Sequence, residues 1–410
     1  MAKVELEQEI RGQLPSPPPP ELVVGIPGLV DPADVRSVAA QWQGSGLRVA
    51  VVYPCGPGMR ESQEALDEGS NVQLVARQIA PSSIATPPWL GQPSVYAALM
   101  GEAELLGANA CVILNPDLAA FQPSSVDALA RPALAGACDL VMPLYQAGRF
   151  EGLLTQAILA PVTRALYGKR VRYPLAQDFA LSAPFLRQLR AALSTPAAAQ
   201  GLLWPATHAA VRDRKICQVR LAVHHENVAV GVDLSTLLQL ILAPFFADIE
   251  QNASVWQRVR GSQPTMEMPG EAVPPSEPIA ETVPDPRPMV DAFLLGQRNL
   301  QELWSLVLPP VTLLDLKRLS RQPLESFRMP DALWARVVYD FALAFRLRVL
   351  SRGHLLGALA PLYLGWVGSR VLEVGATAPI GPRQEELERA FEQNKPYLVQ
   401  RWRWPDRFNP

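Results

Sequence analysis

Between residues 21 and 145 the chain repeats one pattern, a short apolar run followed by a stretch with helical spacing. ELVVGIP (21–27), LRVAVVYP (47–54), VQLVARQI (72–79), ACVILNPD (110–117) and DLVMPLY (139–145) have strand length and are almost continuously apolar. DPADVRSVAAQW (31–42), VYAALMGEAELLG (95–107) and residues 123–136 read as the helices between them, and residues 60–68 are expected to form another. Apolar runs of this kind suit strands covered on both faces, and such strands need helical crossovers between them. The fold class that follows is α/β: a doubly wound, mostly parallel sheet built from right-handed βαβ units.

That topology says where a ligand would sit. In open α/β sheets the binding crevice lies beyond the carboxyl ends of the strands. Gly25 to Gly28, Pro54 to Gly58 and Asn115 to Asp117 all fall at those ends and are expected to share one crevice. No Gly-x-Gly-x-x-Gly follows the first strand and no Gly-Lys-Ser/Thr loop occurs, which argues against dinucleotide and P-loop chemistry.

The remaining chain divides by composition. Residues 1–20 end in a proline cluster and read as a flexible leader, and residues 21–260 form the α/β domain. Within it, residues 151–169 look helical, residues 171–182 read as a loop flowing into a helix, and KICQVRLAV (215–223) is a late strand running into His224 and His225. Residues 261–288 are rich in proline and acids without periodicity, as a linker or long surface loop would be. Residues 289–410 are helical in pattern and read as a C-terminal α-helical domain.

A net charge of -2 over 410 residues argues against a nucleic-acid surface. The four cysteines (Cys55, Cys111, Cys138, Cys217) form no Cys-x-x-Cys pair and read as reduced thiols, which favours the cytoplasm. The first twenty residues carry acids where a signal peptide needs an apolar run, and no stretch of eighteen apolar residues occurs, so no transmembrane segment is expected. The sequence leaves room for a homo-oligomer.

The residues with chemical potential are few. The fourth apolar run stops at Asn115-Pro116-Asp117, and His224-His225 follows the late strand. Mg²⁺ or Mn²⁺ on a diphosphate needs only one or two protein carboxylates, because phosphate and water oxygens fill the other positions. Asn-Pro-Asp is also an ordinary turn sequence, and a histidine pair after a strand is often structural. Both readings stay open on the residues alone.

Five segments carry a resemblance: LLGANACVILNPDL (105–118), RFEGLLTQAILAPVTRALYGKRVRYPLAQDFALS (149–182), CQVRLAVHHENVAVGVDL (217–234), ALAPLYLGWVGSRV (358–371) and FEQNKPYLVQRW (391–402). In these the chain resembles the GT-A class of nucleotide-sugar glycosyltransferases, and within it the branch related to glucosyl-3-phosphoglycerate and mannosylglycerate synthases. The resemblance implies a GT-A-like sheet with a helical C-terminal domain, and metal-assisted transfer of a sugar from a nucleotide-sugar to a small polar, glycerate-type acceptor with retention of configuration. It implies that Gly25, Ile26 and Pro27 meet the nucleotide and that Asn115 and Asp117 occupy the Asp-x-Asp position. Asp117 and His225 would hold Mg²⁺ or Mn²⁺, and Gln177 and Asp178 would line the sugar. Asp178, Arg149 and Glu151 are the residues it brings closest to the reaction.

The departures point in one direction. Asn115 replaces the first acid, and Leu90-Gly91-Gln92-Pro93 lacks the lysine of a Gly-Lys-Gly stretch. Ala176-Gln177 stands for Gly-Gly before the aspartate, and Leu202 for an acid in the acceptor region. A catalytically inactive relative that binds a sugar or a partner is therefore the alternative reading. Elsewhere, Asp139 reads as a turn residue and His208 and His354 as packing or surface histidines. Arg164, Lys169, Arg170 and Arg172 read as a solvated basic face, and Trp402 and Trp404 as a docking tail.

Overall fold

A computed structural model describes residues 18–28, 30–56, 58–79, 92–193, 202–225, 233–270, 283–375 and 380–405. The apolar runs become strands: β1 (Leu22–Gly25), β2 (Val49–Pro54), β3 (Ser62–Ala65), β4 (Val72–Arg77), β5 (Ala110–Ile113) and β6 (Leu140–Tyr145). They continue as β7 (Lys169–Arg170), β8 (Phe179–Ser182), β9 (Ile216–Leu221), β10 (Gln263–Pro264) and β11 (Met266–Met268). Nine of them form one sheet in the order β11-β9-β6-β8-β5-β1-β2-β4-β3, while β7 and β10 pair separately.

The sheet is mostly parallel and doubly wound. Along β1, Leu22 and Val24 face the helices Pro32–Ala40 and Pro123–Leu134, packing with Val35, Val38, Val126 and Leu129. Val23, between them, points to the other face with Leu99 of helix Pro93–Leu105 and Leu189 of helix Ala183–Leu193. This two-residue alternation under two helical layers explains why both faces of the run must be apolar.

Two antiparallel strands depart from the sequence expectation. Residues 60–68 are not helical: Ser62–Ala65 is an exposed edge strand pairing Gln63 with Val75. Its polar residues would suit an exposed helix, and the open edge of β4 overrides that weak preference by offering a ladder of unpaired backbone groups. The loop expected over 171–182 ends in β8, inserted antiparallel between β5 and β6 with Ile113 opposite Phe179. Because β8 runs backwards, its entry, not its exit, lies at the carboxyl ends of its neighbours. Residues 263–268, at the start of the proline-rich stretch, form β10 and β11, and β11 lies parallel to β9 with Met266 opposite Cys217. Residues 271–282 of that stretch lie outside the described residues.

A second core joins the helices Leu234–Gln251, Asp331–Leu347, Arg352–Val374 and Ile380–Arg403 around Phe245, Trp334, Leu359 and Phe391. Arg352–Val374 is long and apolar enough to cross a membrane by length and composition, and 72% of its most apolar window is buried inside the fold. Arg164, expected on a solvated face, is instead 2% exposed and clamps the last long helix. Its guanidinium reaches Glu385 at 2.6 Å, Glu388 at 2.9 Å and Glu392 at 2.9 Å, carboxylates on successive turns. A buried guanidinium persists because carboxylates neutralise it.

Candidate functional site

The reversed strand β8 explains the site. Asp178 precedes Phe179, so the antiparallel register delivers its carboxylate to the ends of β5 and β6. It is fully buried. Its Oδ1 accepts the Asn115 backbone N–H at 2.7 Å, and its Oδ2 accepts the Tyr145 hydroxyl at 2.6 Å. His225 Nε2 lies 2.7 Å from the same Oδ2. The tyrosine comes from the last residue of β6, and burial, then the charge of Asp178, push its phenol well above the ordinary range. It therefore stays a neutral donor.

Asn115-Pro116-Asp117 is both a turn and a platform. Asn115 Oδ1 accepts the Asp117 N–H at 2.9 Å, an Asx turn, and its amide donates to Gln177 Oε1. The turn crosses the end of β1, where a Cβ on Gly28 would lie 2.4 Å from Pro116 Cγ. Only glycine allows that approach. Asp117 is thus held at the crevice with its side chain 46% exposed.

His225 links the two carboxylates. Its ring lies between Phe121 and Tyr145, with centroid distances of 5.4 and 5.5 Å. Since an ionised Asp178 can only accept, Nε2 carries the proton toward it. Nδ1 faces Asp117 Oδ2 at 3.6 Å, within ionic range but beyond a hydrogen bond, and this buried nitrogen makes no hydrogen bond. A neutral imidazole would set a lone pair against a carboxylate, so the pair calls for a proton or a cation between them. Burial pulls the His225 pKa down, but the hydrogen bond and charge of Asp178, then Asp117, outweigh it and raise the pKa.

Two of these side chains suit a divalent ion. A histidine that donates one nitrogen to a buried carboxylate and leaves the other bare has the form of a metal ligand with its supporting partner. Asp117 supplies the second donor. Among the described residues no group of three or more His, Cys, Asp or Glu side chains is arranged for a metal, so any ion here would need oxygens from a ligand.

The other expected residues divide. Beside the site opens a cavity of about 390 Å³, whose walls include Tyr145, Glu151, Gln177, His224 and His225. Glu151 Oε2 accepts the Gly148 N–H at 2.8 Å, and its Oε1 lies 3.6 Å from His224 Nε2. Arg149 is half-buried in the same loop and is not among the lining residues. Gly25 and Ile26 are engaged in the sheet: a Cβ on Gly25 would meet Ile113 Cδ1 at 3.0 Å, and Ile26 is buried in the core. Pro27 is half-buried at the strand end.

Leu202 is a core residue, Pro93 opens its helix, and Leu90 and Gly91 lie outside the described residues. Asp139 joins strand ends through Ser182 Oγ at 3.2 Å and the Lys215 N–H at 3.0 Å. Burial, then Arg212, lower the His208 pKa to about 4. Trp402 packs against Trp256 at 5.2 Å, while Trp404 is exposed.

Sequence reasoning missed Tyr145, the partner of Asp178, and Tyr173, which meets Tyr145 edge-on at 5.0 Å. A tyrosine as the last residue of a buried strand, at the end where ligands bind, was the available signal.

The fold and site define a doubly wound α/β protein with a buried aspartate held by a half-buried tyrosine and histidine at the strand ends. No protein-family profile matches the chain, and no curated protein matches it. Two solved structures of glucosyl-3-phosphoglycerate synthase from Mycobacterium tuberculosis are similar to it at a distance. One, in complex with Mn²⁺, UDP-glucose and phosphoglyceric acid, has 20% identity and a TM-score of 0.35 over 56% of this chain and 79% of that one. The other, in complex with phosphoglyceric acid, has 19% identity and a TM-score of 0.36 over 57% and 80%.

Proposed function

We propose that the protein is a GT-A-like, nucleotide-sugar-dependent glycosyltransferase that passes a sugar to an acceptor hydroxyl. The observation that carries the reading is the unfinished pair at the crevice, the bare His225 Nδ1 facing the Asp117 carboxylate at 3.6 Å. Asp117 and His225 would hold Mg²⁺ or Mn²⁺ there. When bound, such an ion neutralises the charge of a departing diphosphate. Asp178 holds the imidazole with Nδ1 turned toward Asp117, and Tyr145 and the Asn115 N–H hold Asp178. Gln177, on the cavity wall, would meet the sugar.

Glu151 and His224 border the same cavity and are the polar groups nearest an acceptor hydroxyl. A glycerate-type acceptor would engage only this polar edge, and the acceptor class proposed is the broader one of hydroxyl compounds. Retention of configuration follows from the resemblance and would be read from the anomer of the product by NMR. The free and largely buried cysteines suit a reducing compartment such as the cytoplasm.

A second reading, a protein that binds without catalysing transfer, is favoured by the hydrogen bond between Asn115 and Gln177. Those two side chains satisfy each other at the position where a ligand would need them. Thermal unfolding with UDP, GDP and ADP, each with and without Mn²⁺, tests the first reading. A ligand at one hundred times its Kd adds about 2.7 kcal/mol. The transferase reading expects one metal-dependent shift that Asp117→Ala removes. No shift with any pair sinks it, and a shift without transfer to any hydroxyl compound supports the second reading.

A further inference from the structure

The cavity beside His225 has two unlike parts. Its polar edge is formed by Gln177, His224, His225 and Glu151. The rest runs from the sheet to the helical core and is walled by Phe150, Leu154, Leu175, Leu237, Ile241 and Tyr363. No lysine or arginine is among its described lining residues, and Glu151 adds a negative charge. A dianionic or trianionic acceptor would meet no lysine or arginine of this wall and would face Glu151, against both desolvation and repulsion. At about 390 Å³ the cavity lies at the small end of the ligand-pocket range of roughly 300–1,000 Å³.

An irregular turn borders the cavity. Thr155–Leu159 is a π-helical turn leading into helix Ala160–Tyr167, and both Thr155 and Leu159 line the cavity. Such turns are rare and recur at functional sites. Gln156 Nε2 donates to the Glu151 carbonyl at 2.7 Å, tying the turn to the polar edge. Leu237, Ile241 and Tyr363 come from the helices Leu234–Gln251 and Arg352–Val374, so the helical region supplies the far wall.

We infer that this cavity takes a neutral amphipathic alcohol, with an aromatic ring or short alkyl body against the apolar wall and its hydroxyl at Gln177 and His225. The assignment rests on the transferase reading for its role as acceptor, but the binding chemistry stands on the lining alone. Each methylene moved from water to the wall should tighten binding about fourfold, from the transfer of one CH₂.

Isothermal titration of the full chain with phenol, 4-ethylphenol and 4-propylphenol, beside 3-phosphoglycerate, tests it. The expected result is saturable binding that strengthens along the phenol series with a negative heat-capacity change, and little binding of 3-phosphoglycerate. Leu237→Gln, at a half-buried position, should weaken 4-propylphenol at least tenfold, and Leu175→Gln serves if that variant does not fold. Flat affinity along the series, or binding of 3-phosphoglycerate in preference, overturns the assignment. If nucleotides with Mn²⁺ bind and the phenols do not, this inference fails while the transferase reading stands. If the phenols bind and no nucleotide does, the cavity assignment stands and the transferase reading fails.

Discussion

Two regions of the molecule bury charge, and they finish the task differently. At the junction with the last long helix, the Arg164 guanidinium is met by Glu385, Glu388 and Glu392. Arg383, nearby, meets Asp331 and Glu373, and contacts Glu386 as well. At the strand ends Asp178 is equally well supplied, by Asn115, Tyr145 and His225. Yet the next group outward, His225 Nδ1, is left without a hydrogen bond against a second carboxylate. Arg164 and Arg383 are closed on carboxylates, whereas the charge at the crevice is closed on its inner side and faces a second carboxylate on its outer side. That asymmetry is the strongest local sign of where a ligand enters.

The helix junction should show the largest effect on stability. Arg164→Ala removes one partner from a buried network and leaves three carboxylates facing each other. Urea unfolding should show a loss of about 3–5 kcal/mol. A loss below about 1 kcal/mol would mean that the network is solvated and that the two regions do not differ.

The helical core also contains Asp248, buried beside the hydroxyls of Tyr167 and Thr207 and the amide of Asn252. Burial raises its pKa to about 6, although those donors, then the charge of Arg212, oppose the rise. A carboxyl raised above its unfolded value contributes stability that is complete below the unfolded pKa and is lost as pH rises through the folded one. The Asp248 contribution to stability should therefore fall by about 3 kcal/mol between pH 4 and roughly 7, read as the difference between wild type and variant, because each tenfold difference in proton affinity between the folded and unfolded states is worth about 1.36 kcal/mol. Asp248→Asn should flatten that slope in thermal scans across pH. An unchanged slope would show that another group carries it.

At the crevice the effects are smaller in stability and larger in binding. Tyr145→Phe deletes one of the donors to Asp178 and should cost about 1–3 kcal/mol of stability, since a charged acceptor loses a buried partner. Asp117→Ala, at an exposed and unfinished position, should shift stability by less than about 0.5 kcal/mol. If the Asp117 variant were the more damaging of the two, the carboxylate would be structural and the contrast between the two regions would collapse.

The parallel strands were legible because their apolar runs need cover on both faces and alternate with segments of helical spacing. β3 and β8 were not. Ser62–Ala65 is polar and exposed, so nothing in its composition asks for a strand; β4 imposes it. FALS at 179–182 is four residues between a loop and a helix, too short to show a period. Missing β8 hid the reason Asp178 lies beside Asn115, and with it the part played by Tyr145. Asp117, Asp178 and His225 were placed together through the resemblance, and the structure brings them into one cluster. Arg164 was misread because a cation in a basic sequence cluster looks solvated, and its partners lie more than two hundred residues away.

The most direct test of the crevice is Mn²⁺ binding followed by electron paramagnetic resonance, with UDP, GDP and ADP added in turn. The wild-type protein with one of these nucleotides should lower the free Mn²⁺ signal below that of the nucleotide alone, and Asp117→Ala should restore it. A free Mn²⁺ signal that the protein leaves unchanged with all three nucleotides would contradict the claim that His225 and Asp117 await a cation.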